Sequence, residues 1–352
     1  MILRRRLKSV IEPRGADPVF PTDAPPRTDT GGIERVWSSI GVAAALLAPL
    51  SALYAAGWLA YLGMYEAGFK RPKRPHRPVL CVGNLRVGGS GKSPVTMHVY
   101  EVLRSMGRSV VVSASGYGSP ASESASLAPE GDLRAGRWGD EPAMLRAAFP
   151  EMPLIVGRDR VRAAEICSAE FPDSVLLLDD GFQHLPLEKD ITILLDSPVR
   201  NALCLPAGPY REPRRVGRLR ASTVIPGRFH IQAEPMHFSK VGCEEIAWEE
   251  SGGKVQVLCA IARPSRFVDA VRQSGFDVGR CVFARDHDSM TAGNLLDPFD
   301  PEVPILVTEK DWVKLRERSD VGRFRIWVAR HRVRVAPDAA FAEFLNGRLA
   351  NS

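Results

Sequence analysis

The 352-residue chain has few cysteines, and they show no spacing typical of a metal site or a redox pair. The six are spread over the whole length and never form C-x-x-C, which argues against a disulfide-stabilised secreted scaffold and a structural zinc site. We interpret them as reduced, mostly buried thiols. A secretory signal is not expected either, because the basic start at residues 4–6 is not followed by an apolar run. The composition, 45% hydrophobic and 25% charged, is that of a globular protein with room for about two domains.

A strong excess of one charge is also missing. Lys and Arg number 47 against 41 Asp and Glu, which gives a net charge of +6. Basic residues are scattered except beside one apolar segment, and no helical, zinc or RNA-binding module is recognisable. Nucleic acid is therefore not an expected partner.

Charge is absent altogether from residues 36–65. As one helix this stretch would rise roughly 45 Å, against a hydrocarbon core of roughly 30 Å. Gly41, Pro49, Ser51 and Gly57 are expected to interrupt it, so a tilted span and a helix lying in the interface are both open, with a buried core helix as the alternative. The basic cluster at residues 70–77 follows at once, which favours contact with anionic lipid on the cytoplasmic side.

The pattern along the chain predicts four regions. Residues 1–34 are rich in proline and are expected to be a disordered extension. Residues 35–69 form the apolar, membrane-associated helix. Residues 70–228 alternate apolar strands with helical stretches, which predicts an α/β core with a mostly parallel sheet covered on both faces. Residues 229–352 change spacing and are expected to form a β-ribbon and a smaller α/β lobe.

The first chemical motif, GGSGKS at residues 88–93, lies between a predicted strand and a predicted helix. Its glycines let successive N–H groups face a phosphate chain, Lys92 would reach the β- and γ-phosphates, and Ser93 would ligate Mg²⁺. The strict pattern has a glycine where Arg86 stands, so the motif is imperfect although its context fits. The predicted nucleotide-binding residues are Arg86, Val87, Gly88, Gly89, Ser90, Gly91, Lys92 and Ser93.

The second motif is the pair Asp179 and Asp180, directly after the apolar run 175–178. A carboxylate at the carboxyl end of such a strand, in a sheet that also carries a phosphate loop, points to the Mg²⁺ of a nucleotide. Adjacent aspartates project to different sides, so one would hold the metal and the other would face the substrate. We assign the metal to Ser93 and Asp179, with Asp180 as the alternative ligand. The guanine-reading Asn-Lys-x-Asp sequence is not evident, which favours ATP.

With these motifs the chain resembles the tetraacyldisaccharide 4'-kinases, the lipid A 4'-kinases of Gram-negative bacteria. The resemblance begins in the apolar segment, ends near residue 345, and rests on blocks that occur in the family's order. These blocks are residues 82–93, 139–142, 156–160, 179–184, 205–213, 286–287 and 307–311. The DDGFQH block at residues 179–184, together with this phosphate loop, is highly specific.

The resemblance implies transfer of the γ-phosphate of ATP to the 4'-hydroxyl of tetraacyldisaccharide 1-phosphate, which gives lipid IVA at the cytoplasmic face of the inner membrane. It implies a P-loop NTPase core, a smaller C-terminal α/β lobe joined by a β-ribbon, and an N-terminal helix that meets the membrane as a peripheral or single-pass element. ATP and Mg²⁺, an amphipathic glycolipid substrate and the membrane surface are the expected cofactors and partners.

By motif match, Asp140 takes the family's catalytic position and works with His287, while Asp179 and Asp180 take metal and active-site positions. A carboxylate at Asp140 would accept the proton of a sugar hydroxyl as the new P–O bond forms. We also predict that Lys92 and Asp180 are catalytic residues. Three arginines are candidates for phosphate contacts, with a surface or ion-pair role as the alternative for each: Arg158, Arg160 and Arg211.

Two departures from the family pattern stand out. Ser115 occupies the place of an arginine, and the turn usually reading Gly-Ile-Gly-Asn-Pro is altered at residues 260–264. Neither removes a predicted catalytic residue, so we expect an active enzyme. The alternatives are a P-loop kinase of another membrane glycolipid and a non-catalytic, membrane-tethered nucleotide-binding module.

Overall fold

The structure is a computed structural model that describes residues 37, 41–88, 91–241, 253–261, 264–285, 288–291 and 293–350. These residues divide into two compact units. The larger unit takes those within Pro26–Leu133, Arg137–Ala233 and Val333–Ser352, and the smaller unit takes Arg134–Gly136 and Glu234–Arg332. The predicted extension at residues 1–34 lies outside the described residues.

The helices and strands alternate through most of the chain. The helices are α1 (Val42–Glu66), α2 (Lys92–Ser105), α3 (Ala135–Trp138), α4 (Asp140–Ala148), α5 (Arg160–Glu170), α6 (Arg214–Leu219), α7 (Pro264–Gln273), α8 (Glu309–Leu315) and α9 (Asp338–Leu349). The strands are β1 (Val79–Asn84), β2 (Val110–Ala114), β3 (Ser126–Leu127), β4 (Leu154–Val156), β5 (Val175–Asp179), β6 (Ile191–Leu195), β7 (Thr223–Ile225), β8 (His230–Ala233), β9 (His237–Lys240), β10 (Lys254–Cys259), β11 (Asp277–Phe283), β12 (Ile305–Thr308), β13 (Ile326–Arg330) and β14 (Val333–Ala336).

A seven-stranded sheet in the order β3-β4-β2-β5-β1-β6-β7 forms the centre of the larger unit. All neighbours are parallel except β3, which pairs antiparallel with β4. Every residue of β1, β2, β5 and β6 is buried, as expected when helices cover both faces of a parallel sheet. The predicted α/β core with a mostly parallel sheet is confirmed.

The sheet order brings the two sequence motifs together. Strands β1 and β5 are neighbours, and Val82 pairs with Asp179 in their register. The phosphate loop follows β1, and the aspartate pair ends β5. Because parallel strands end at the same edge of a sheet, both motifs lie at one edge.

The smaller unit has its own sheet, in the order β11-β10-β12-β13-β9. It is parallel except for the pairing of β13 with β9. Alternate residues of β10 enter different apolar clusters, Val257 on one side and Leu258 on the other, so both faces are covered.

The C-terminal segment differs from the predicted division at residue 229. Strand β14 pairs antiparallel with β8, and Phe341 of α9 stacks on His98 of α2, so residues 333–350 belong to the larger unit. The β8–β14 ribbon therefore lies in the larger unit. The partners are about 100 residues apart for β8 and β14 and about 240 residues apart for His98 and Phe341, and local spacing does not show such pairings.

Helix α1 begins directly after Gly41 and is continuous from Val42 to Glu66, so the expected interruption at Pro49, Ser51 and Gly57 does not occur. By length and composition it is apolar enough to cross a membrane. Most of its side chains are exposed, including the large apolar ones at Val42, Leu46, Leu50, Leu53 and Leu59. This exposure is consistent with membrane association.

Candidate active site

The phosphate loop joins β1 to the first residue of α2, Lys92. Gly88 and Gly91 have φ angles of 92° and 76°, in the left-handed region that glycine adopts without steric cost. The loop thus turns sharply enough to aim the N-terminus of α2, with its free N–H groups, at the carboxyl edge of the sheet. Gly89 and Ser90 lie outside the described residues.

The residues before these glycines are held by a second segment, which we call the 203–211 loop. Arg86 forms a β-bridge with Tyr210, and the Val87 N–H donates to the Pro209 carbonyl at 2.9 Å. The backbone leading into the phosphate loop is therefore fixed by a neighbouring loop as well as by β1.

Asp179 lies buried beside the first turn of α2. Its carboxylate accepts hydrogen bonds from the Ser93 hydroxyl at 2.9 Å and the Thr96 hydroxyl at 3.0 Å. Burial, with the nearby charge of Glu141, raises the pKa of Asp179 to about 6, although Lys92 and the two hydroxyls act in the opposite direction. This carboxyl therefore changes charge near neutral pH unless a cation is added beside it.

Asp180 is the next residue, and it faces different partners. Its Oδ2 lies 3.4 Å from Lys92 Nζ and 3.1 Å from Arg211 Nη1. Burial alone would raise the pKa of Asp180, but the charges of Lys92 and Arg211 outweigh it and lower that pKa. The result is an ionised carboxylate between two cations.

The turn that separates the two carboxylates is strained and is supported by Arg160. Asp180 has φ 59°, which non-glycine residues rarely adopt. The buried Arg160 guanidinium donates to the Asp179 carbonyl at 2.9 Å and the Asp180 carbonyl at 2.7 Å. It also donates to the Ser113 hydroxyl and the Gly157 carbonyl. Arg160, a predicted phosphate contact, thus contacts four protein oxygens and shapes the turn.

Asp140 is the first residue of α4 and is partly buried. The preceding Gly139 has φ 93°, and a Cβ there would lie 3.0 Å from the Cα of Gly116. Only this close glycine–glycine approach lets α4 begin against the loop that follows β2. Helix α4 also contacts α2, whose first turn places Ser93 and Thr96 beside Asp179.

The other predicted site residues have separate positions. Arg158 is exposed and its Nε donates to the Ser122 carbonyl at 3.4 Å. Ser115, in place of the family's arginine, accepts the Tyr117 N–H at 3.3 Å. His287 lies outside the described residues, so its predicted partnership with Asp140 stays a prediction.

Sequence reasoning missed several groups in this site. Thr96 lies one turn after Ser93 on the same helix face, a spacing that was available as a signal. Gln183 of the DDGFQH block donates to the Asn84 carbonyl at 2.9 Å and to Glu212 at 3.0 Å. The bond to Glu212 links the turn after β5 to the residue that directly follows the 203–211 loop. Nothing in the local sequence indicates this link.

The arrangement combines a helix N-terminus, a lysine and an arginine around one ionised carboxylate, with a hydroxyl and a second carboxylate alongside. Such a set can bind the oxygens of a phosphate chain and stabilise negative charge as it moves between oxygens.

Comparisons with known proteins agree with this chemistry. The model of the family described as LpxK, tetraacyldisaccharide-1-P 4'-kinase, matches residues 43–350. A tetraacyldisaccharide 4'-kinase of Shewanella baltica is 34% identical over 333 residues, 90% of this chain and 94% of that protein. One from an Azoarcus species is 38% identical over 302 residues, 79% and 85% of the two chains. In fold, the chain is similar to the crystal structure of LpxK from Aquifex aeolicus in complex with ATP, with TM-score 0.74, 24% identity and coverage of 87% and 99%.

Proposed function

This chain belongs to the tetraacyldisaccharide-1-P 4'-kinase family, and we propose that its site transfers the γ-phosphate of ATP to the 4'-hydroxyl of tetraacyldisaccharide 1-phosphate. The chain is thus an ATP-dependent phosphotransferase of lipid A biosynthesis. The observation that carries the proposal is the juxtaposition of Lys92, Asp180 and Arg211 at the edge where the phosphate loop and the aspartate pair meet.

In the proposed reaction, Lys92 and the N-terminus of α2 bind the β- and γ-phosphates. Arg211 adds a guanidinium whose geometry matches phosphate oxygens. Because phosphoryl transfer places charge on the oxygens of the moving group, these cations lower the barrier by stabilising that charge. Asp180 keeps both cations oriented.

Asp140 is the proposed general base. The sugar hydroxyl attacks the γ-phosphorus, the bond to the β–γ bridging oxygen breaks, ADP leaves, and the hydroxyl proton passes to the Asp140 carboxylate. Its position as the first residue of α4, a helix that contacts α2, supports this role. Family resemblance assigns His287 to assist Asp140.

The residues present fit a nucleotide-bound Mg²⁺. Within the part of the chain that the structure describes, no group of three or more His, Cys, Asp or Glu is placed to hold a metal alone. Ser93 and Asp179 instead offer two neighbouring hard oxygen donors, and Mg²⁺ usually takes few protein ligands beside phosphate oxygens and water. When bound there, the ion supplies charge stabilisation at the phosphates.

Helix α1 and the basic residues at 70–77 support a location on the cytoplasmic face of the inner membrane. The exposed apolar side chains of α1 suit a lipid surface, and the adjacent cations suit its anionic headgroups. A kinase in that position would meet an amphipathic glycolipid without extracting it from the bilayer.

The direct test is an assay of the purified full chain in mixed micelles with Mg-ATP and tetraacyldisaccharide 1-phosphate. We expect a 4'-phosphorylated product. Turnover on another glycolipid alone would favour the first alternative, and ATP binding without transfer would favour the non-catalytic module. Neither alternative is favoured by the family match.

A further inference from the structure

The 203–211 loop contacts the apolar helix as well as the phosphate loop. The Ser51 hydroxyl of α1 donates to the Cys204 carbonyl at 2.7 Å. One turn later, the Tyr54 hydroxyl donates to the Arg211 carbonyl at 2.8 Å. Two side chains of α1 therefore bind the two ends of the same loop.

A third contact comes from just before the helix. The Trp37 indole N–H donates to the Pro206 carbonyl at 3.0 Å. All three acceptors are main-chain carbonyls, so the apolar segment holds the path of the loop whatever side chains the loop carries.

The polar groups of α1 that make these contacts contrast with its exposed apolar side chains. Ser51 is buried although the leucines around it are exposed. The Tyr54 hydroxyl is the donor in its contact, because a phenol keeps its proton at neutral pH. The helix thus has one side suited to lipid and one that hydrogen-bonds the protein.

On its other side, the same loop reaches the site. The Arg211 N–H donates to the Leu85 carbonyl at 2.7 Å, directly before the phosphate loop. The Arg211 guanidinium donates to Asp180 at 3.1 Å. Tyr54, Leu85 and Asp180 therefore hold the carbonyl, the amide and the side chain of one residue.

We propose that Tyr54 and Ser51 are positioning residues of the kinase site: by holding the 203–211 loop, they fix Arg211 beside Asp180 and the transferred phosphate. The inference rests on the proposed function for its catalytic consequence. It makes α1 part of the active-site framework as well as a lipid-facing element.

Amide hydrogen exchange of the full chain in lipid nanodiscs tests the first half of this proposal without any assay of activity. Tyr54→Phe removes only the donated hydrogen bond. We expect amide exchange in residues 203–211 to accelerate about fivefold, the equivalent of about 1 kcal/mol for one net hydrogen bond. The exchange rate of the β2 amides should not change. Tyr61→Phe is the matched control, because the Tyr61 hydroxyl pairs with Tyr65 on the same helix.

Kinetics test the second half. We expect Tyr54→Phe to lower kcat about fivefold, Ser51→Ala to lower it less, and both to leave the KM for the lipid and vesicle binding unchanged. Unchanged exchange in the 203–211 loop would overturn the proposal, as would faster exchange with an unchanged kcat. A rate loss explained by weaker vesicle binding would also overturn it, because α1 would then act only as an anchor. If the unmodified chain transferred no phosphate, the proposed function would fail, while exchange would still decide whether α1 holds the loop.

Discussion

Each of the two mostly parallel sheets has an Asp–Lys pair beyond the carboxyl ends of its strands, and the two pairs differ mainly in exposure. In the larger unit, Lys92 Nζ lies 3.4 Å from Asp180, and the side chains are 13% and 26% exposed. In the smaller unit, Lys314 Nζ lies 3.5 Å from Asp311, and the side chains are 4% and 0% exposed. The separation between the charges is nearly the same.

The surroundings explain the difference. We call Lys92 and Asp180 the open pair, because both side chains are partly exposed. Asp180 has a second cation, Arg211, so the open pair carries an excess of positive charge that a phosphate can bind. Asp311 instead accepts hydrogen bonds from the Thr308 hydroxyl and the Ala260 N–H, and burial raises its pKa.

The Lys314 ammonium is enclosed as well, since it donates to the Asp288 carbonyl at 2.7 Å. We call Lys314 and Asp311 the closed pair. Its charges are buried and bonded within the smaller unit, so they are not accessible to a ligand. Comparison of the two pairs shows that exposure and the balance of charge, more than distance, separate a substrate site from a structural ion pair.

The largest expected effect is on the open pair. Lys92→Ala should lower kcat by about 10³-fold or more, because positioning and charge stabilisation dominate phosphoryl transfer. The melting temperature should move little, since Arg211 still accompanies Asp180. Steady-state kinetics with thermal unfolding measures both. Turnover within tenfold of the unmodified chain would contradict the role given to the open pair.

Asp140 extends the comparison to the group that is proposed to take the proton. Asp140→Asn should lower kcat by about 10²–10⁴-fold and leave the KM for ATP nearly unchanged. Glu141→Gln, at the next position of α4, is the matched control and should lower kcat only a few-fold. Near-full activity of Asp140→Asn would show that the base lies elsewhere.

Substitution in the closed pair should change the stability of the fold. Lys314→Met leaves Asp311 buried without its cation and should lower the free energy of unfolding by about 3–5 kcal/mol. Arg162→Ala breaks an exposed pair with Glu165 and should cost less than about 1 kcal/mol. Denaturant unfolding compares the two variants, and equal losses would mean that burial does not distinguish the pairs.

The smallest expected effect is the contribution of Asp179 to the pH dependence of the free energy of unfolding. Its pKa is about 6 in the folded chain and 3.8 in the reference state, so the folded chain binds more protons between these values. The contribution of Asp179 to the free energy of unfolding therefore falls as pH rises from about 4 to 6, by up to about 3 kcal/mol.

Asp179→Asn should remove that fall and raise the melting temperature at pH 7.5, in the absence of nucleotide and Mg²⁺, while it lowers turnover. Melting curves at pH 5 and pH 7.5 provide the measurement. A lower melting temperature of the variant at pH 7.5 would mean that the ionised carboxylate stabilises the fold.

Much of the site was visible in the sequence because its signals are local. The phosphate loop, the aspartates that end a buried strand and the uncharged segment each occupy at most 30 consecutive residues. Their residue types have direct physical meaning, such as glycines for a tight turn and a lysine at a helix start. The mostly parallel α/β sheet followed from the same alternation and is confirmed.

Other features depend on partners that are distant along the chain. Arg160 was a candidate for a phosphate contact because a guanidinium matches phosphate oxygens, with a surface or ion-pair role as the alternative. In the structure it supports the left-handed turn at Asp180 from 20 residues away. The bond between Gln183 and Glu212, and the return of β14 to β8, likewise join segments that no local pattern connects.

The sequence alone determined which groups are present, their order along the chain and the family to which they belong, because propensities and motifs act over a few residues. Only the tertiary structure decided which carboxylate faces Lys92 and which faces Ser93, and that Tyr54 of the apolar helix holds the residue that pairs with Asp180. These outcomes depend on how strands and loops pack, and packing joins atoms that are far apart along the chain.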